Sequence, residues 1–136
     1  MLKRPFARNR SSQLRRLEIV CCYHGSWRWN EALKKFSFLE ELNIYRQKIP
    51  KEAIETVGLC FPMLRTLRVN QEACRFWPWD SVEKSYTIRN ETTIAIGENL
   101  PELRHLELIE NYMSNIGLQV ILDGCCHLEF LDLRQC

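Results

Sequence analysis

A six-residue pattern, apolar at its first, fourth and sixth positions, occurs five times along the chain. Its copies begin at Leu14, Leu39, Leu64, Leu103 and Leu128, so successive starts are 25, 25, 39 and 25 residues apart. Three equal spacings and one that is 14 longer indicate a repeated unit with a single insertion. The last three positions of each copy alternate apolar, polar and apolar, which is the period of a strand with one buried side. Each copy therefore predicts a short strand.

The segments between the copies have the period of a helix. Residues ten, seven, six and three positions before a starting leucine fall on one stripe of a helix surface. Pro62 and Pro101 lie two residues before their copies, where proline ends a helix and suits the entry to a strand. Gly124 is expected to cap the last helix. The stripe consists of Trp29, Ala32, Leu33 and Phe36, then Ile54, Val57, Gly58 and Phe61, then Thr93, Ile96, Gly97 and Leu100, then Leu118, Ile121, Leu122 and Cys125.

Neither a strand nor a helix of this kind can bury its apolar side alone, so the units are expected to stack. The predicted fold is an α/β solenoid, a partial horseshoe with five parallel strands on its concave face and helices on its convex face. Residues 1–13 are predicted to be a basic, disordered flank, and residues 14–136 to form the repeats. The insertion is predicted to be a loop at about residues 75–90.

The pattern L-x-x-L-x-L-x-x-N/C-x-L resembles a leucine-rich repeat over residues 14–136. Cys22, Asn111 and Cys136 fit its ninth position, whereas Gln47 and Glu72 depart from it. The stretch 117–136 looks like the cysteine-containing subclass found in F-box proteins. Together with residues 14–22 and 61–67, it resembles plant F-box/LRR proteins.

This resemblance implies the role of the family, whose members are substrate receptors of SCF ubiquitin ligases. In those proteins a helical F-box docks the Skp adaptor, and the 13 polar and basic residues before the first copy are too few to form one. A Skp adaptor and a cullin are therefore expected as partners only if an F-box is supplied elsewhere. The alternative is a truncated repeat fragment that acts as a free-standing binder or competitor with no link to ubiquitination.

The outward side of the predicted strands is the candidate surface for a protein target of unknown identity. Side chains on neighbouring strands lie about 5 Å apart, so they would form a continuous patch of mixed charge with a few apolar anchors. The alternative is that they are ordinary solvated strand residues. The predicted contacts are Arg16, Glu18, Glu41, Asn43, Tyr45, Thr66, Arg68, Asn70, His105, Glu107, Phe130 and Asp132.

The insertion contains a cluster of aromatic residues. Insertions in repeat proteins map to loops that often adjoin the binding face, so Phe76, Trp77 and Trp79 are candidate anchors for the partner. The alternative is that the tryptophans fold back and cover one edge of the repeats.

Composition and motifs point to a binding protein and not to an enzyme. A net charge of +2 is too small to imply nucleic acid, and no apolar run is long enough to span a bilayer. Seven cysteines without a secretory signal favour free thiols and a cytoplasmic or nuclear location. Neither a metal-ligand spacing nor a catalytic or cofactor motif is present, so no metal, cofactor or catalysis is expected. The sequon Asn90-Glu91-Thr92 is expected to be incidental.

Overall fold

The computed structural model describes residues 13–20, 33–45, 49–71, 82–109 and 113–134, with side chains in α2 described from Asn90 onward. The predicted flank lies outside these residues except for Gln13, and so does the first predicted helix before Leu33. The elements found in the described residues are β1 (Arg16–Val20), β2 (Glu41–Tyr45), α1 (Lys51–Cys60), β3 (Thr66–Asn70), α2 (Val82–Asn99), β4 (His105–Ile109), α3 (Asn115–Gly124) and β5 (Phe130–Asp132).

The five strands form one parallel sheet in the order β1-β2-β3-β4-β5. Their register confirms the predicted strands, because equivalent leucines of successive copies lie side by side. In the three central strands these leucines have no exposed surface, whereas in β1 and β5 they are half-buried. This inward column consists of Leu17, Leu42, Leu67, Leu106 and Leu131.

The helical stripe forms the other half of the core. Ile54, Val57, Ile96 and Ile121 are all 0% exposed and belong to one hydrophobic cluster with the strand leucines. The helix stops that were predicted from proline are confirmed, because α1 and α2 end two residues before their prolines. Leu122 departs from the prediction, since it lies on the stripe yet is half exposed.

Glycine sets the distance between neighbouring helices. A Cβ atom on Gly124 would lie 1.9 Å from the carbonyl oxygen of Gly97, so α2 and α3 touch backbone to backbone. Gly58 makes a similar approach from α1 to α2. The predicted cap at Gly124 is wrong, because α3 is capped by Cys125, whose N–H donates to the carbonyl of Ile121. Gly124 is required for the close approach instead.

The predicted loop at residues 75–90 is wrong from residue 82 onward, where α2 begins. Helix α2 has 18 residues, against 10 in each of α1 and α3, so the insertion lengthens a helix. Residues 82–92 contain neither glycine nor proline, so nothing in their sequence stops the helix from extending towards its N-terminus. In the described ranges no helix has the length and apolar character to cross a membrane.

Asn90 links α2 to the beginning of α3. Its side chain donates to Ser114 Oγ at 2.8 Å, and its Oδ1 accepts from the backbone N–H of Ser114 at 3.0 Å. The Ser114 hydroxyl in turn accepts from Ile116 N–H and caps the helix. Asn90 is only 5% exposed, so in the folded chain the side chain of this sequon asparagine is buried and hydrogen-bonded to Ser114.

Candidate protein-binding face

The strands direct alternate side chains away from the core, as the burial pattern of β3 and β4 shows. We call this side of the sheet the outer face, and all twelve of the strand residues predicted as partner contacts lie on it. Strand pairing places equivalent positions of neighbouring strands next to each other. The outer face consists of Arg16, Glu18, Val20, Glu41, Asn43, Tyr45, Thr66, Arg68, Asn70, His105, Glu107, Ile109, Phe130, Asp132 and Arg134.

Charged side chains on the outer face form one alternating series across the sheet. Each arginine of the series bridges two carboxylates, which gives six ion pairs. Four of these pairs have N···O distances of 2.7–2.9 Å: Arg16–Glu18, Arg16–Glu41, Arg68–Glu41 and Arg134–Asp132. The remaining two pairs join Glu107 to Arg68 and, at 3.8 Å, to Arg134. We call this series the charge ladder. In order it comprises Glu18, Arg16, Glu41, Arg68, Glu107, Arg134 and Asp132.

Arg68 is the centre of the ladder. Its guanidinium binds Glu41 on one side and Glu107 on the other, and its side chain is 30% exposed. Burial raises the pKa of Glu41, but the hydrogen bond from Asn43 and the charge of Arg68 outweigh it, so that the pKa lies below its usual value. Burial likewise raises the pKa of Glu107, and hydrogen bonds from His105 and Arg68 lower it by more. Both carboxylates are thus held in their charged form.

Asn43 is the one predicted contact whose burial contradicts the prediction. It lies on the outer face but has 0% exposure, because neighbouring charged side chains cover it. Its amide nitrogen donates to Glu41 at 3.0 Å and to Glu18 at 3.4 Å, and its oxygen accepts from Arg68 at 3.2 Å. Asn43 therefore orients the ladder and has no surface to offer a partner.

An aromatic pair lies at the β4–β5 end of the outer face. The rings of His105 and Phe130 are stacked, with their centroids 4.3 Å apart and an angle of 11° between their planes. His105 Nε2 lies 3.1 Å from Glu107 Oε2, which ties the pair to the ladder. Phe130 is 48% exposed. Since His105 covers one face of its ring, the exposed surface belongs to the opposite face and the ring edge.

Other predicted features are not brought into this face. Phe76, Trp77 and Trp79 lie outside the described residues, so their role as anchors stays a prediction. Among the residues that the structure describes, no three His, Cys, Asp or Glu side chains are grouped as a metal ion would require. Cys125 is a core residue; burial, chiefly, raises the pKa of its thiol to about 11, with a smaller contribution from the neighbouring thiol of Cys126.

Arg134 is not among the twelve predicted contacts, although alternation along the last strand places it on the outward side and it closes the ladder between Glu107 and Asp132. The signal for it was present, because Arg134 is two residues beyond Asp132 and therefore on the same side of an extended chain. The structural role of Asn43 had no such signal, since it depends on side chains from three different strands.

Several proteins with similar sequences are named for an F-box and leucine-rich repeats. F-box/LRR-repeat protein 22 of Arabidopsis thaliana is 41% identical over 127 residues, which cover 93% of this chain and 38% of that protein. F-box/LRR-repeat protein 9 of the same plant is 39% identical over 130 residues, which cover 94% of this chain and 48% of that protein. The chain belongs to the plant F-box/LRR-repeat protein family.

The family also includes matches that are named only for their F-box. F-box protein SKIP19 of Arabidopsis thaliana is 36% identical over 129 residues, which cover 94% of this chain and 38% of that protein. No protein-family model matches the chain. The chain thus spans less than half the length of these F-box/LRR relatives.

Proposed function

We propose that this chain is the substrate-recognition repeat region of an F-box/LRR receptor of an SCF ubiquitin ligase. In this role it binds a protein target on the outer face and carries out no catalysis, while an F-box elsewhere recruits the Skp adaptor and the cullin. The single observation that supports it best is the parallel sheet, whose outer face presents charged and aromatic side chains from all five strands. The predicted solenoid curvature would make this face concave, and the predicted cytoplasmic or nuclear location would suit the same role.

The arginines and the exposed aromatic residue of the outer face favour a protein-binding role. This face combines arginines, carboxylates and the exposed Phe130, and arginine and aromatic residues are enriched where binding energy is concentrated. Its polar side chains are already oriented by ion pairs and hydrogen bonds, which reduces the entropy lost when a partner binds.

A bulky, uncharged substitution on the outer face tests this function. Thr66 lies on the outer face in the middle strand, and Thr66→Tyr should prevent a target from docking without changing the charge. Thr56 is the matched control, because it is a half-buried threonine on α1, on the other side of the sheet. The tagged wild-type chain and both variants would be expressed in plant cells, and the proteins that bind each would be quantified by mass spectrometry.

We expect a target that is retained by the wild-type chain and by Thr56→Tyr, and lost with Thr66→Tyr. Recovery of a Skp adaptor and a cullin through a partner chain would support the receptor role, whereas a target without them would support a free-standing binder. If both variants retain the same proteins as the wild-type chain, the outer face is not the binding surface and the proposal fails.

A further inference from the structure

The charge ladder is incomplete at both ends, and this identifies the chemistry of a partner. Each of the three arginines binds two carboxylates, and each of the two inner carboxylates, Glu41 and Glu107, binds two arginines. Among the described residues, the terminal carboxylates have one arginine each: Glu18 binds Arg16, and Asp132 binds Arg134. The ladder therefore has four carboxylates and three arginines. The two carboxylates that bind a single arginine lie at its two ends.

From this asymmetry we propose that the outer face receives a basic segment of the target, with one cationic side chain at Glu18 and a second at Asp132. The inference rests on the proposed function and adds the kind of partner. Every arginine of the ladder already binds two carboxylates, so an acidic segment would compete with them. An apolar segment would bury charged groups without giving them new partners, which is costly.

Both terminal carboxylates retain accessible surface, more at Glu18 than at Asp132, whose side chain is 20% exposed. Glu18 has a side chain that is 45% exposed, and its Oε1 accepts from Arg16 and Asn43. For Asp132 the one bond described is from Arg134 Nε to Oδ2, at 2.9 Å. Each terminal carboxylate thus has a second oxygen with no bond from any described residue. A lysine or arginine from outside can bind there without breaking the ladder.

Phe130 favours a cation at the Asp132 end in particular. Its ring is stacked on His105 on one side, and the residue as a whole is 48% exposed. Phe130 and Asp132 are alternate residues of β5, so both project from the outer face. An arginine that binds Asp132 can therefore also lie against the open face of the Phe130 ring, which adds a cation–π contact.

The register fixes the spacing that such a segment needs. Glu18 and Asp132 occupy the same row, on strands separated by four steps of the sheet, or about 19 Å at about 4.8 Å per step. An extended segment that crosses the strands advances about 3.3 Å per residue, so its two cations should be about six residues apart.

Defined peptides test the proposal on the complete chain. The first probe has two arginines separated by five Gly and Ser residues; the second has the same composition with adjacent arginines, and the third has glutamates in place of the spaced arginines. We expect the spaced-arginine peptide to bind about tenfold more tightly than the glutamate peptide, and more tightly than the adjacent-arginine peptide. Affinity should fall as salt is raised.

Substitutions locate the contacts, each with a matched control elsewhere on the surface. Glu18→Gln, Asp132→Asn and Phe130→Ala should each weaken binding of the spaced peptide about threefold. The controls Glu102→Gln, Asp123→Asn and Phe38→Ala remove the same kinds of group outside the outer face and should leave the affinity unchanged; Glu102 and Phe38 also match the exposure of Glu18 and Phe130, whereas Asp123 is more exposed than Asp132. Peptide affinities are compared only for variants whose melting curves match that of the wild-type chain.

Three results would overturn the basic-segment proposal: no saturable binding of the spaced peptide, equal binding of spaced and adjacent arginines, or equal losses in the control variants. These are separable from a failure of the proposed function. If Thr66→Tyr releases the cellular target but the ladder substitutions do not weaken its binding, the receptor role stands and the basic segment is excluded.

Discussion

The two sides of the sheet are stabilised in different ways, although they alternate along the same strands. On the inner side Leu67 has no exposed surface, and the helices behind it approach until Gly124 touches the Gly97 carbonyl. On the outer side the next residue, Arg68, is 30% exposed and is bound by carboxylates. Water can replace a partner in an exposed ion pair but cannot fill a close-packed core at no cost. Substitutions on the inner side should therefore destabilise the chain more than substitutions on the outer side.

The largest effect is expected from Leu67→Asp. It places a charge with no partner in the centre of the core and removes the leucine contacts, so the loss should exceed about 4 kcal/mol and unfold the chain. Urea denaturation followed by circular dichroism measures it, with the outer-face variant Thr66→Ala as the control. A Leu67→Asp variant that unfolds at the wild-type midpoint would contradict the inward column of leucines.

The next largest effect is expected in the helix layer. Gly124→Ala forces a methyl group against the Gly97 backbone, and overpacking of this kind costs about 1–3 kcal/mol. Asp123→Ala, at the exposed neighbouring position, should cost far less. Thermal melts of both variants make the comparison. Equal melting temperatures would show that α2 and α3 are not in backbone contact.

Removal of the central arginine should have a smaller effect. Arg68→Met leaves Glu41 and Glu107 half-buried without their shared cation, for which we expect a loss of about 1–2 kcal/mol, between exposed and buried ion pairs. Arg104→Met removes a more exposed arginine, paired with Glu129, and should cost at most about 0.5 kcal/mol. The difference between their urea midpoints measures the contribution of the ladder. Equal midpoints would mean that the ladder adds no stability.

Acid should weaken the same interactions. The pKa values of Glu41 and Glu107 are lower in the folded chain than the value of about 4.3 expected when it is unfolded. Their contribution is therefore complete above that pH and is lost as the pH falls through the lowered folded values. The stability of Arg68→Met should fall less steeply with acid than that of the wild-type chain. Parallel curves would contradict the assigned cause.

The smallest effect is expected from Arg15→Gln. Arg15 pairs with Glu40 at 2.6 Å, but its side chain is 72% exposed and the pair lies outside the ladder. Water and salt compete effectively for such groups, so no resolvable change in the urea midpoint is expected. A loss as large as that of Arg68→Met would show that exposure does not separate the two sites.

Family resemblance and repeat spacing together predicted much of the candidate site. All twelve of the strand residues predicted as contacts lie on the outer side, because alternation along an extended chain determines which side each residue faces. The burial of Asn43 and the stacking of His105 on Phe130 could not be read in this way. Both depend on which side-chain rotamers the neighbouring strands allow.

The sequence by itself determined the order of the elements, the register of the parallel strands and the inward column of leucines, because a fixed repeat length brings equivalent residues side by side. The tertiary structure decided why Gly124 must be glycine and how the charges of the outer face pair. These features depend on distances between atoms far apart in the chain. Spacing along the sequence specifies which residues become neighbours, but only packing specifies how closely they meet.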